Sequence, residues 1–154
     1  MGPDVFTLME VRDFPGVGNA RDVLPDFPQS DDRFFLSLAE RRLVLQRCST
    51  CDRARFPVAP ACPYCRASSY DWEGIAPEGI VHSWVRYHRA FLPEFAQLLP
   101  YVVLAVELTS GPILVGRLVE AGPEPLIGMP VRAFVGRWAD GGHTLAFTSN
   151  MEKS

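Results

Sequence analysis

The chain has 154 residues, 47% of them hydrophobic, enough to bury a sizeable core in one ordinary domain or in a small module beside a second one. Its 15 basic and 18 acidic side chains leave a net charge of −3, which weighs against a dedicated nucleic-acid binder, whose binding domain carries a basic surplus. No apolar run reaches membrane-spanning length, and the opening MGPDVFTLMEVRD holds acidic residues and no apolar leader, so a cytoplasmic protein is expected.

Residues 1–29 carry Pro3, Pro15, Pro25 and Pro28 together with Gly16, Gly18, Asp13, Asp22 and Asp26, which interrupt any helical or strand period. An extended N-terminal arm is expected there, disordered or laid against a partner. Over residues 30–42 the texture changes. Ser30 or Asp31 can cap a helix, and Phe34, Phe35, Leu38 and Ala39 form one stripe, predicting a short amphipathic helix over about residues 31–41. Its aromatic pair either packs on a neighbouring module or docks another protein.

Residues 43–73 hold all four cysteines. Leu43 to Arg47 runs as a strand into Cys48, and Ala67 to Trp72 returns as another. Between them stand Cys48-Ser49-Thr50-Cys51 and Cys62-Pro63-Tyr64-Cys65, ten residues apart. Each CxxC pair forms a tight turn that presents both sulfurs to one point, so Cys48, Cys51, Cys62 and Cys65 can occupy the corners of a tetrahedron. This reads as a zinc ribbon. Four thiolates close the coordination shell and leave no position for water or substrate, so the Zn2+ would be structural, and such binding contributes on the order of 10 kcal/mol or more to folding. Disulfides would require an oxidising compartment, and a redox CxxC would sit in a βαβ unit that nothing here suggests. Iron in a rubredoxin-like site uses the same ligands and stays an open alternative.

Residues 74–150 contain five runs rich in β-branched and aromatic residues: Gly79 to Tyr87, Tyr101 to Thr109, Ile113 to Val119, Val131 to Trp138 and His143 to Ser149. Ser110-Gly111 predicts a tight hairpin between the second and third, and Asp140-Gly141-Gly142 another between the fourth and fifth. The count and order match a five-stranded OB-fold barrel, with an SH3-like barrel as the competitor. The expected class is therefore mainly β with a small α component: helix, rubredoxin-like ribbon, then C-terminal barrel.

Neither composition nor spacing brings an acid, a base and a nucleophile together. The cysteines are committed to the ribbon, and His82, His88 and His143 are scattered along the chain, with His82 expected on the strand face of Ile80, Trp84 and Arg86. No catalytic residue is assigned. Binding has a better candidate: Trp84, Arg86, Tyr87, His88, Arg89 and Phe91 interleave aromatic and cationic groups, which suits an adenine ring with phosphates or a single nucleic-acid strand. The plain alternative makes Trp84 core and leaves the arginines solvated. Arg117, Arg132 and Arg137 would extend a basic strip or simply face water.

Helix, CxxC…CxxC ribbon and five-stranded barrel, in that order, resemble the DUF35 family of zinc-ribbon OB-fold proteins over roughly residues 31 to 150. The resemblance rests on Phe34-Phe35, Leu43 to Cys48, Cys51 with Phe56-Pro57, Cys62-Pro63-Tyr64-Cys65, Gly79-Ile80-Val81-His82-Ser83 and Ile127-Gly128-Met129-Pro130-Val131. It implies a non-catalytic accessory subunit of a hetero-oligomer with a thiolase-superfamily enzyme, a condensing thiolase or a side-chain aldolase of lipid or steroid metabolism, with a MaoC-like hydratase as a further partner. CoA or acyl-CoA would be shared with that partner, with Trp84, Arg86, Tyr87 and Arg89 as the coenzyme-contacting residues. A single-stranded nucleic-acid module is the alternative. The sequence departs from the family where a glycine commonly follows each knuckle: Asp52 and Arg66 stand there. Asp tolerates the left-handed conformation better than Arg, so the second knuckle is expected to be looser than usual.

Overall fold

The computed structural model describes residues 8–14, 29–90, 96, 98–119, 124–138 and 142–149. The β1 strand spans Val11–Phe14 and α1 Gln29–Ala39. The ribbon consists of β2 (Val44–Cys48), β3 (Ala54–Arg55) and β4 (Tyr70–Gly74), ordered β3-β2-β4. The barrel follows as β5 (Glu78–Tyr87), β6 (Tyr101–Leu108), β7 (Ile113–Leu118), β8 (Pro130–Trp138) and β9 (His143–Thr148).

Antiparallel ladders join β5 to β6, β6 to β7, and β8 to both β9 and β5, while β7 and β9 run parallel at Arg117↔Ala146 and Leu118↔Phe147. The ring is closed and mixed, as in an OB-fold rather than its SH3-like competitor. Alternation along these strands sends Val81, Leu104, Val106, Leu114, Val131, Ala133, Val135 and Phe147 into the interior, all buried. The Ser110-Gly111 turn forms as expected: the Gly111 N–H donates to the Leu108 carbonyl at 2.9 Å, and Gly111 takes a φ of 118° that a side chain would resist. The tip of the expected Asp140-Gly141-Gly142 turn lies outside the described residues, as does Phe91.

Two of the sequence stretches that carry the family resemblance prove to be one structural feature. In β5 the register slips between Val81 and Ser83, a bulge with His82 at its apex. Facing it, the Gly128 N–H donates to the Val81 carbonyl at 2.8 Å and the Val81 N–H to the Met129 carbonyl at 2.9 Å, with Gly128 at a φ of 88°. The bulge also breaks the strict alternation assumed for this strand. Ile80 faces outward, 44% exposed, whereas Trp84 packs on the core, so the two do not share a face as expected.

Within the stretch expected as an arm, residues 8–14 lie on the barrel itself. The β5 ladder on β8 ends at Arg132, and β1 takes the same edge further along, parallel, from Val11↔Val135 to Phe14↔Trp138. The Phe14 ring meets Phe134 edge-on at 6.0 Å, the Arg117 guanidinium covers Phe14 at 4.6 Å, and Arg137 pairs with Asp13 at 2.8 Å. Any Cβ at Gly136 would overlap the Phe14 ring, so only glycine admits it. Residues 1–7 and 15–28 lie outside the described residues.

The helix buries Phe34, Ser37 and Leu38, with Ala39 exposed rather than on the apolar stripe expected for it; the Phe35 side chain lies outside the described residues. Ser37 is satisfied by donating to the Phe34 carbonyl at 2.6 Å. The helix stops because Arg41 turns left-handed (φ 62°), its N–H bonding to the Leu38 carbonyl and that of Arg42 to the Ser37 carbonyl, a Schellman motif. Arg41 then holds the arm: its Nε donates to the Met9 carbonyl at 2.7 Å, and the Met9 N–H returns to the Arg41 carbonyl at 2.9 Å. Phe34 packs on Phe56 of the ribbon at 5.0 Å, and one apolar cluster runs from the helix through Leu43, Leu45, Ala54 and Ile75 into the barrel.

Candidate functional site

The ribbon sheet positions the four cysteines. Cys48 ends β2, paired with Tyr70 of β4, and Cys51 follows in the first knuckle. The Asp52 N–H closes that knuckle on the Cys48 carbonyl at 3.0 Å, and the Arg66 N–H closes the second on the Cys62 carbonyl at 2.8 Å. Asp52 and Arg66 adopt φ values of 66° and 69°. The second knuckle is thus as tightly closed as the first, contrary to the looser turn expected, and Arg66 accepts a backbone conformation better suited to glycine.

The four Sγ atoms lie within 4.8 Å of one another and none is in a disulfide. Cys48 and Cys65 sulfurs are 3.5 Å apart and those of Cys51 and Cys62 3.6 Å. A tetrahedral zinc with Zn–S bonds of about 2.3 Å sets its sulfurs about 3.8 Å apart, so the cradle has the size of the ion. The titration of the thiols carries the same message. The N–H groups of Cys51 and then Thr50 donate to the Cys48 sulfur and lower its pKa. Burial pushes Cys62 up, but the N–H groups of Cys65 and Tyr64 outweigh it, and the thiol ends lowered to about 6. Cys51 receives the Arg53 N–H, yet desolvation and the neighbouring sulfurs leave it pushed up to about 11. Crowded sulfurs cannot all ionise alone, and a divalent ion among them removes that conflict.

The ribbon also holds a buried polar network around Gln46. Gln46, fully buried on β2, accepts the Ala59 N–H at 2.9 Å and the Arg55 Nε–H at 3.2 Å and donates to the Ala59 carbonyl at 3.1 Å. A polar residue mid-strand is the only signal that could have found it.

The barrel residues singled out for coenzyme contact are only partly brought together. Trp84 and Arg86 stand on one face, the Arg86 guanidinium 5.6 Å from the Trp84 ring and paired with Glu124 at 3.1 Å. Tyr87 lies on the opposite face, stacked on its cross-strand partner Tyr101 at 4.9 Å. Arg89 and His88 follow at the exposed end of the strand. The arginines considered for a basic strip are engaged within the chain: Arg117 over Phe14, Arg132 near Glu78 at 3.4 Å, Arg137 on Asp13.

Comparison with known proteins bears on both halves. Residues 37–71 match the family model described as the ChsH2 rubredoxin-like zinc ribbon domain, and residues 72–135 that of the ChsH2 C-terminal OB-fold domain. A chain of the solved structure described as Ltp2-ChsH2(DUF35) aldolase is 35% identical with a TM-score of 0.72, over 81% of this chain and 98% of that one. The chain belongs to the ChsH2-type DUF35 family. A DUF35 protein of unknown function from Sulfolobus solfataricus, 16% identical with a TM-score of 0.52 over 70% of this chain and 77% of that one, shows the fold alone. Among curated proteins, a probable enoyl-CoA hydratase alpha subunit of Thermomonospora curvata is 44% identical over 105 residues, 66% of this chain and 32% of that protein. The present chain therefore matches about a third of that relative's length. The two DUF35 models meet inside β4, where one apolar cluster runs from the ribbon into the barrel, while a smaller one of Phe14, Phe134 and Ala146 lies in the barrel alone. No helix among the described residues is long and apolar enough to cross a membrane.

Proposed function

We propose that this chain is a non-catalytic accessory subunit of an acyl-CoA-processing complex, with its ribbon held by one structural Zn2+ on Cys48, Cys51, Cys62 and Cys65. The observation that carries the reading is the 35% identity over nearly the whole ChsH2(DUF35) chain of an aldolase structure. The curated relative supports the acyl-CoA setting, since it is named an enoyl-CoA hydratase subunit. The partner that does the chemistry is a thiolase-superfamily enzyme of the aldolase kind, with a MaoC-like hydratase as a second partner. All four cysteines stand in the metal cradle, so no thiol is left to act as a nucleophile in this chain.

For coenzyme, the Trp84–Arg86 pair is the better half of the predicted set. Arg86 is paired with the largely exposed carboxylate of Glu124, which a phosphate can replace, and Trp84 offers the ring beneath it. Tyr87 and Arg89 would contribute from the strand's end. The decisive experiment is affinity capture of the tagged chain from its native lysate with sizing of the assembly. A thiolase-superfamily enzyme at stoichiometric yield is expected, together with no acyl-transfer or aldol turnover by the isolated chain. Robust turnover alone, or capture of ribosomal or nucleic-acid proteins in its place, overturns the reading.

A further inference from the structure

Arg55 is 2% exposed, and its guanidinium is answered by neutral groups. Its Nε donates to the Gln46 side chain at 3.2 Å, its Nη2 to the Ala59 carbonyl at 3.0 Å, and it faces the Tyr70 ring at 5.0 Å. Its Nη1 is buried with no hydrogen-bond partner. Among the described residues no carboxylate reaches it. An arginine stays charged in proteins, and a buried charge is heavily penalised unless an opposite charge or an ion compensates it.

The topology places the cysteine cradle on the same side of the ribbon sheet as this arginine. Arg55 pairs with Gln46, and Tyr70, whose ring Arg55 faces, pairs with Cys48. Gln46 and Cys48 are two residues apart on β2 and so share a face, about 6.6 Å apart at about 3.3 Å per residue. Four thiolates around a divalent ion carry a net charge of about −2. We infer that Arg55 is the buried counter-charge of the metal tetrathiolate, and that metal binding and the burial of this arginine stabilise each other. The inference rests on the metal reading above and deepens it: the cradle is a charge-balanced unit in which β3 supplies the cation.

Zinc competition with a chromophoric chelator tests it on the full chain. Uptake of one zinc by the wild type tests the metal reading; the differences among variants test the counter-charge. Arg55→Gln should weaken zinc by about ten- to hundredfold, the usual cost of losing an outer partner, while Arg55→Lys keeps most of the affinity. Equal affinity in Arg55→Gln and wild type, or equal losses in Arg55→Gln and Arg55→Lys, overturns the inference. The nearly isosteric Gln46→Glu guards against a misfolded Arg55 variant. It gives Arg55 an acid of its own and adds negative charge near the sulfurs, so zinc affinity should fall here too.

The iron-loaded protein supplies a readout that a merely structural role would not move. Ferric-to-ferrous reduction makes the centre one charge more negative, so loss of the cation should lower its midpoint potential. Each tenfold preferential weakening of the ferrous form corresponds to about 59 mV. Unchanged potentials in both Arg55→Gln and Gln46→Glu overturn the inference.

Discussion

Ribbon and barrel solve the same problem by opposite means. The barrel is closed by backbone ladders around a filled interior of Val81, Leu104, Val106, Val131, Val135 and Phe147. On the ribbon, one face joins the common core through Leu45 and Ala54, but the other carries Gln46, Arg55 and Cys48 beside Val44, with polar groups where the barrel has aliphatic ones. A face of that kind cannot be held by apolar burial. It depends on ionic contacts whose centre is a group the polypeptide does not contain, so the two halves should fail under different insults.

Metal removal is the sharpest way to break the comparison. Strong chelation, or Cys62→Ser, is expected to release the knuckles while the barrel ladders persist. Hydrogen exchange should then accelerate by orders of magnitude at the Asp52, Cys62 and Arg66 amides and stay slow at Leu104, Val106 and Phe134. Uniform exchange across both halves would show that they unfold as one unit.

The barrel has its own weak seam at β1, and Phe14→Ala probes it. Phe14 is 7% exposed between Phe134 and Arg117, and truncating a buried phenylalanine costs about 3 kcal/mol. At roughly 3 °C per kcal/mol for a chain of this size, the thermal midpoint should fall by about 9 °C with zinc content unchanged. A loss of zinc in this variant would join seam and ribbon more tightly than the structure indicates.

The smallest effect runs the other way. Arg66→Gly removes a side chain from a left-handed residue and should stabilise the second knuckle by about 1 kcal/mol, after allowing for the greater freedom of glycine in the unfolded chain. Urea unfolding followed through the ribbon would register it. A destabilised variant would mean that the Arg66 side chain does more than the turn requires.

What could be read from the residues follows the same division. The barrel strands are legible almost to the residue, because alternating β-branched runs bounded by glycine turns leave little freedom in register. The cysteines were equally plain, since their spacing encodes the cradle directly. The β1 strand was not legible: VRDF is short, half charged and bounded by Pro15, and its partner lies on β8, 124 residues away at each paired position. Nothing local announces such a pairing. The bulge at His82 escapes for a related reason, as it is set by Gly128 and Met129 across the barrel, and with it the separation of Ile80 from Trp84; that Tyr87 faces away from Trp84 follows from plain alternation three residues on. The Gln46–Arg55 pair was invisible because polar residues on a strand ordinarily face water, and only the folded ribbon shows that these do not.

The remoteness of β1 from β8 has a consequence for the order of events during synthesis. An N-terminal strand that pairs with residues 135–138 has no strand partner until nearly the whole barrel has left the ribosome, although Arg41 can already hold Met9 beside it. Through most of translation it is a loose edge with hydrogen-bonding groups to spare, and its charged Arg12 and Asp13, followed directly by Pro15, suit a segment that must avoid wrong strands while it waits. The barrel can assemble around its own five strands first, and the arm then closes the seam as a latch.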